Sequence, residues 1–199
     1  MPAIYLPTLA TLWLLPAGAP HMSLKARVFI ATSLDGYIAR EDGGLDWLMG
    51  ATQSTDDHGY AGFMAGVDTL VMGRGTFDKV MTFGQWPYPD VRVVVVSSTL
   101  PALPQHSPER VELHPGPIPA LLEHLETTGA KSLYLDGGKL IQGFLREGLV
   151  DELTITRIPV LLGQGIPLFG GLAKDVLLQH MKTTSYESGF VQSTYRIVR

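Results

Sequence analysis

Residues 132–147 read SLYLDGGKLIQGFLRE, and this stretch decides the architecture. Ser132 to Leu135 is a short apolar run that reads as a buried strand. Gly137-Gly138 breaks it. From Lys139 to Glu147, the apolar positions Leu140, Ile141, Phe144 and Leu145 fall along one helical stripe. Strand, glycine turn and amphipathic helix in succession make one beat of an alternation that predicts a mainly parallel sheet covered on both faces.

The same alternation extends outward. Ile118 to Thr127 places Ile118, Leu121, Leu122 and Leu125 at helical spacing, and Gly129 ends it. Val91 to Val96 (VRVVVV) is the strongest strand, and Val111 to Leu113 is a weak one. Thr69 to Met72 (TLVM) is a strand leading through a Gly73-Arg74-Gly75-Thr76 turn into a short helix. Arg27 to Thr32 is the first strand. Ser33 to Trp47 reads as a long loop, and Asp56 to Ala65 as a helix capped by Ser54, Thr55, Asp56 or Asp57. Downstream, Glu152 to Pro159 is a strand and Pro159 to Phe169 an apolar loop. Val176–Ser185 and Phe190–Val198 form a hairpin turning at Ser188-Gly189, which adds an antiparallel edge. The expected fold class is therefore α/β.

Composition limits the chemistry. The chain has 199 residues, 45% hydrophobic and 17% charged, enough for one domain with a buried core and too apolar for disorder. The absence of cysteine excludes a disulfide scaffold, cysteine-ligated zinc, iron–sulfur clusters and a thiol nucleophile. Lys plus Arg total 15 against 19 Asp plus Glu, with no long basic run, which argues against a nucleic-acid groove. The 6 histidines are scattered without metal-ligand spacing, so no metal is expected. Residues 1–22 carry no Asp, Glu, Lys or Arg. Their apolar run is too short to span a bilayer and lacks the basic start of a signal peptide. The expectation is that Met22 is the true start, that 1–22 is a mis-called or cloning-derived extension, and that 23–199 is one cytoplasmic domain.

Three turns follow strands. Gly137-Gly138 lets a phosphate approach the backbone at a helix N-terminus. Gly73-Arg74-Gly75-Thr76 adds a guanidinium, whose fixed fork suits a phosphate. Ser97-Ser98-Thr99 adds hydroxyls. Each alone is equally a plain tight turn. In a parallel sheet, however, the carboxyl ends of all strands share one edge, where ligands bind. Together the turns predict a dinucleotide, and the cation with the hydroxyls favours NADP over NAD. No G-x-G-x-x-G follows the first strand, and no phosphate-binding G-x-x-x-x-G-K-[ST] or nucleophilic G-x-S-x-G occurs.

The succession VFIATSLDGYIA (28–39), TLVMGRGTF (69–77), VVVVSSTL (93–100) and LYLDGGKL (133–140), continuing to Phe169, resembles the dihydrofolate reductase-like superfamily. It most resembles the branch containing the C-terminal reductase domain of the riboflavin biosynthesis protein RibD. The resemblance covers about residues 26–199. It implies a mixed eight-stranded sheet and an NADPH-dependent reductase, often a homodimer, with the strand near Ile158 to Leu162 at the interface. It further implies that Gly73, Arg74, Gly75 and Thr76 hold cofactor phosphates and that Ser97 and Ser98 lie near the 2′-phosphate. Gly137, Gly138, Lys139 and Leu140 would lie under the pyrophosphate, with Ala31 against the nicotinamide. Asp35 to Ile38 would belong to a mobile loop over the site, with Asp35 near substrate. RibD proteins carry a zinc deaminase domain with cysteine ligands, so a cysteine-free chain is not expected to be bifunctional.

Hydride transfer also needs a proton source. Asp57 is the candidate, as acid or as holder of an amino-pyrimidine-like ring, with helix capping as its other reading. Trp47 either stacks on a planar substrate or anchors a loop. A RibD-like activity would reduce the ribose of 5-amino-6-(5-phosphoribosylamino)uracil and would need a second anion site, for which Lys139 and Arg157 are the candidates. The alternatives are a dihydrofolate-type pterin reductase and a non-catalytic NADPH-binding protein.

Overall fold

The computed structural model describes residues 24–51 and 56–199. The extension 1–22 and the candidate caps Ser54 and Thr55 lie outside them. The strands are β1 (Lys25–Ser33), β2 (Tyr37–Ala39), β3 (Thr69–Gly73), β4 (Arg92–Val96), β5 (Val111–His114), β6 (Ser132–Asp136), β7 (Glu152–Ile158), β8 (Ile166–Pro167), β9 (Leu178–Ser185) and β10 (Val191–Ile197). The helices are α1 (Asp46–Ala51), α2 (Tyr60–Met64), α3 (Arg74–Val80), α4 (Ile118–Thr127) and α5 (Gly138–Arg146). Eight strands form one sheet in the order β5-β4-β3-β6-β1-β7-β10-β9. The first six are parallel, and β10 and β9 run antiparallel to their neighbours. This is the expected α/β fold with its antiparallel hairpin edge.

The valine run is continuous because β4 is buried on both faces. Val94 packs with Val28, Val71, Leu133 and Leu135 against α4 and α5. Val93 and Val95 pack on the opposite face with Leu70, Met72, Phe77 and Tyr134, beside residues of α2. A third, smaller cluster joins Trp47, Ile158 and Phe190. Among the described residues, no helix is long and apolar enough to cross a membrane.

Several local expectations need correction. The loop expected over Ser33–Trp47 is partly ordered: it contains the short strand β2 and ends in α1. Gly36, at φ +89°, turns the chain tightly, and β2 then pairs with β8 from the segment read as an apolar loop. Trp47 sits in α1. The helix expected over Asp56–Ala65 shrinks to α2, because His58 at φ 53° and Gly59 at φ 82° form a left-handed turn ahead of it. The Gly73–Thr76 segment is not a free turn either. Gly73 is the extended N-cap residue, and the helix begins at Arg74.

Candidate active site

The three glycine- and hydroxyl-bearing segments converge at the carboxyl edge of the sheet. β3 lies between β4 and β6, so Gly73 is flanked by the ends of both. Arg74 bridges two segments: its Nη1 donates to Thr99 Oγ1 at 3.2 Å and its Nε to Asp78 at 3.3 Å. On the other side, a Cβ added to Gly137 would collide with the Thr76 hydroxyl, 3.5 Å from Thr76 Cβ and 3.9 Å from the Gly73 nitrogen. The Gly73–Thr76 and Gly137–Gly138 segments therefore touch. Gly137 holds φ +100°, a conformation that glycine adopts without strain.

The glycines differ in the space around them. A Cβ at Gly73 or Gly75 would meet nothing within 4 Å, so open space lies over both. By contrast, Gly138 is packed: a Cβ there would lie 3.0 Å from Ile38 Cδ1 and 3.0 Å from the Pro167 carbonyl. Gly138 thus serves the close packing of α5 on the β2–β8 ribbon. Lys139 is exposed in the first turn of α5. Leu140 is 7% exposed within the core, which leaves only its backbone to a ligand. Ser97 is buried, and its Oγ accepts from the Leu100 amide at 3.0 Å and the Thr99 amide at 3.3 Å. Its hydroxyl builds the turn, while Ser98 and Thr99 are exposed on it.

Ala31 of β1 packs against the Trp47, Ile158 and Phe190 cluster on the α2 face. On the same face, at the end of β6, stands Asp136. Sequence reasoning passed over it, because its environment is assembled from distant segments. Tyr60 of α2, Tyr88 of the loop after α3 and Tyr134 of β6 all interact with its charge, and Tyr60 and Tyr88 share a side-chain hydrogen bond. Burial pushes the Asp136 carboxyl up to about 6, against the pull of a hydrogen bond from the Gly137 amide. Tyr60 is pushed up to about 12, by burial first and Asp136 second.

The other proposed acids have structural tasks. Asp57 accepts from the Gly59 amide at 2.9 Å and the Ala61 amide at 2.8 Å, capping α2 with both oxygens. Those amides hold its carboxyl below the usual range, the reverse of what a proton donor needs. The expectation of a catalytic Asp57 gives way to the capping reading. Asp35 accepts from Ser33 Oγ at 2.6 Å and from the Gly163 amide at 2.7 Å. It latches the β1–β2 turn to the segment after β7, so its carboxylate is engaged within the protein. Trp47 is 7% exposed and packed in the third cluster, and its buried Nε1 has no hydrogen-bond partner among the described residues. His58, the one histidine beside Asp57, lies in the same region. Its ring stacks on Phe190 at 4.9 Å, and its carbonyl accepts from Gln192 Nε2 at 3.0 Å.

The mixed sheet of this order thus carries glycine- and hydroxyl-bearing segments side by side along its carboxyl edge. The chain belongs to the RibD C-terminal domain family, which it matches over residues 25–192. It is 35% identical over 176 residues to YwjB of Bacillus subtilis strain 168, a protein of uncharacterised function, covering 87% of this chain and 98% of that one. It is also similar to a solved structure from Shewanella sp. PV-4, a protein provisionally assigned to riboflavin biosynthesis. There the identity is 43% and the TM-score 0.83, covering 88% of this chain and 100% of that one. The fold alone is shared with dihydrofolate reductase from Enterococcus faecalis, solved with NADP(H), at 18% identity and TM-score 0.60, covering 89% and 98%.

Proposed function

We propose that this protein is an NADPH-dependent reductase of a small planar heterocycle, or of a carbonyl attached to one, working in the cytoplasm. The observation that carries the reading is the contact of the Gly73–Thr76 and Gly137–Gly138 segments, with Arg74 reaching the Ser97–Thr99 turn beside them. Arg74, Ser98 and Thr99 would hold the 2′-phosphate. The open backbone at Gly73 and Gly75, with the first amides of α5, would hold the diphosphate. Lys139 lies beside them. When bound, NADPH supplies a hydride to an electron-poor carbon of the substrate.

The chain's own residues supply the remainder. Ala31 leaves room at the end of β1. Trp47, Phe190 and His58 wall the α2 face and keep water from it. Asp136, with its carboxyl raised to about 6, hands a proton to the substrate nitrogen or oxygen that gains the electron pair, and recovers it from solvent. A homodimer is part of the proposal. β9 is exposed along nearly all its length, and Leu177, Leu178 and Met181 are exposed apolar residues on or beside it.

The test is a fluorescence titration of the purified protein with NADPH and with NADH at fixed ionic strength. The proposal expects NADPH to bind more tightly. Equal weakness for both cofactors contradicts it.

A further inference from the structure

The substrate side of the carboxyl edge carries a carboxylate and phenols, and the cations lie elsewhere. All 15 Lys and Arg residues fall within the described residues, so each can be placed. Four belong to the carboxyl edge. Arg74 is joined to Asp78 and Thr99 on the cofactor side. Arg40 holds Asp46 through two 2.7 Å bonds, from Nε and Nη2. Lys139 is exposed on α5, the helix that covers the face opposite α2.

Arg157 is the fourth, and strand register decides its direction. β7 pairs with β1 without a break from Arg27↔Glu152 to Ser33↔Ile158, so side chains alternate strictly between faces. Ile158 packs on Trp47 and Phe190, and Thr156 Oγ1 accepts from Gln192, whose Nε2 also reaches the His58 carbonyl. Ile155, on the other face, belongs to the cluster under α4 and α5. Arg157 therefore points to the Ile155 face, away from Asp136, Trp47 and His58.

Arg27, the α2-face cation of β1, lies near the amino end of that strand with its guanidinium over Phe63 and bonded to the Gly66 carbonyl and Ser132 Oγ, so a phosphate at the carboxyl edge of the α2 face would meet an acidic group and phenols with no free counter-cation. In a partly desolvated site, an unpaired dianion beside a carboxylate is strongly disfavoured. We infer that the substrate reduced at this site carries no phosphate and is a neutral or cationic ring that presents N–H groups to Asp136 and the Tyr60–Tyr88 pair. This rests on the reductase reading and narrows it, because it sets the chain apart from an enzyme that acts on a phosphoribosyl substrate.

The experiment uses the full chain saturated with NADP and matched ligand pairs that differ only by a 5′-phosphate. The pairs are uridine, cytidine and 5-amino-6-ribosylaminouracil, each with its 5′-phosphate, and binding is read by ligand-detected NMR. The unphosphorylated member is expected to bind at least about tenfold more tightly. Arg157→Ala should leave that ratio unchanged, and Asp136→Asn should reduce it. A pair in which the phosphate binds more tightly overturns the inference, as does failure of every unphosphorylated member to bind at millimolar concentration. Failure of NADP itself to bind is a separate result and contradicts the reductase reading instead.

Discussion

The guanidinium of Arg74 donates to Thr99 Oγ1 at 3.2 Å and so ties the start of α3 to the turn after β4. The two residues lie on adjacent parallel strands' exits, where a charge on one can act together with a hydroxyl on the other. Removing the cation should weaken NADPH selectively, since NADH lacks the 2′-phosphate. Arg74→Ala is expected to cut the NADPH-over-NADH preference by roughly 10- to 100-fold, the scale of a lost charge-assisted hydrogen bond. Paired cofactor titrations of variant and parent check it.

Gly137→Ala should destabilise the fold. The new Cβ meets the Thr76 hydroxyl, and φ +100° is strained for any L side chain. A loss on the order of 1–3 kcal/mol is expected in denaturant unfolding. Adding Thr76→Ala should restore part of it by removing the collision, while the backbone strain persists.

The approach of those two segments was not legible in the sequence, although each segment was. Gly137-Gly138 and Gly73-Arg74-Gly75-Thr76 were visible as glycine-bearing punctuation after apolar runs, because local propensity writes them. The meeting of Thr76 with Gly137 depends on β3 lying beside β6, a pairing between distant strands. The same holds for two carboxylates. Asp35 reads as a loop carboxylate until the backbone of Leu162 and Gly163 arrives to bind it. Asp136 reads as the last letter of a strand until Tyr60 and Tyr88 gather around it. The β2–β8 ribbon is hidden in the sequence because its strands are three and two residues long and carry no period of their own. The long elements fared differently. The Ile118–Thr127 helix and the valine strand were plain, since burial on one stripe or on both faces is stated by the residues themselves.

Asp136 should leave two pH signatures. Its carboxyl is raised in the folded state, so the folded protein holds this proton more tightly than the unfolded chain does. Stability is therefore greatest below pH 4 for this group and falls as pH rises through about 6, by an amount on the order of 3 kcal/mol. Asp136→Asn should flatten the decline in unfolding measurements across that window. Activity should also fall as pH rises through about 6 if the protonated acid donates, and the variant should lose that dependence.

Asp57→Ala should separate capping from chemistry. Loss of the bonds to the Gly59 and Ala61 amides should lower the melting temperature by a few degrees. The pH dependence of turnover should be unchanged, and Asp57→Asn should recover much of the stability. A turnover that vanished in Asp57→Asn with the melting temperature intact would return this residue to the proton step.

The most direct measurement is a crystal structure of the protein grown with NADP. The account predicts the 2′-phosphate against Arg74, Ser98 and Thr99, the diphosphate over Gly73, Gly75 and the first amides of α5, and the nicotinamide beside Ala31 on the face of Asp136. Ordered NADP elsewhere on the protein, with the Gly73–Thr76 and Gly137–Gly138 segments uncontacted, would contradict it.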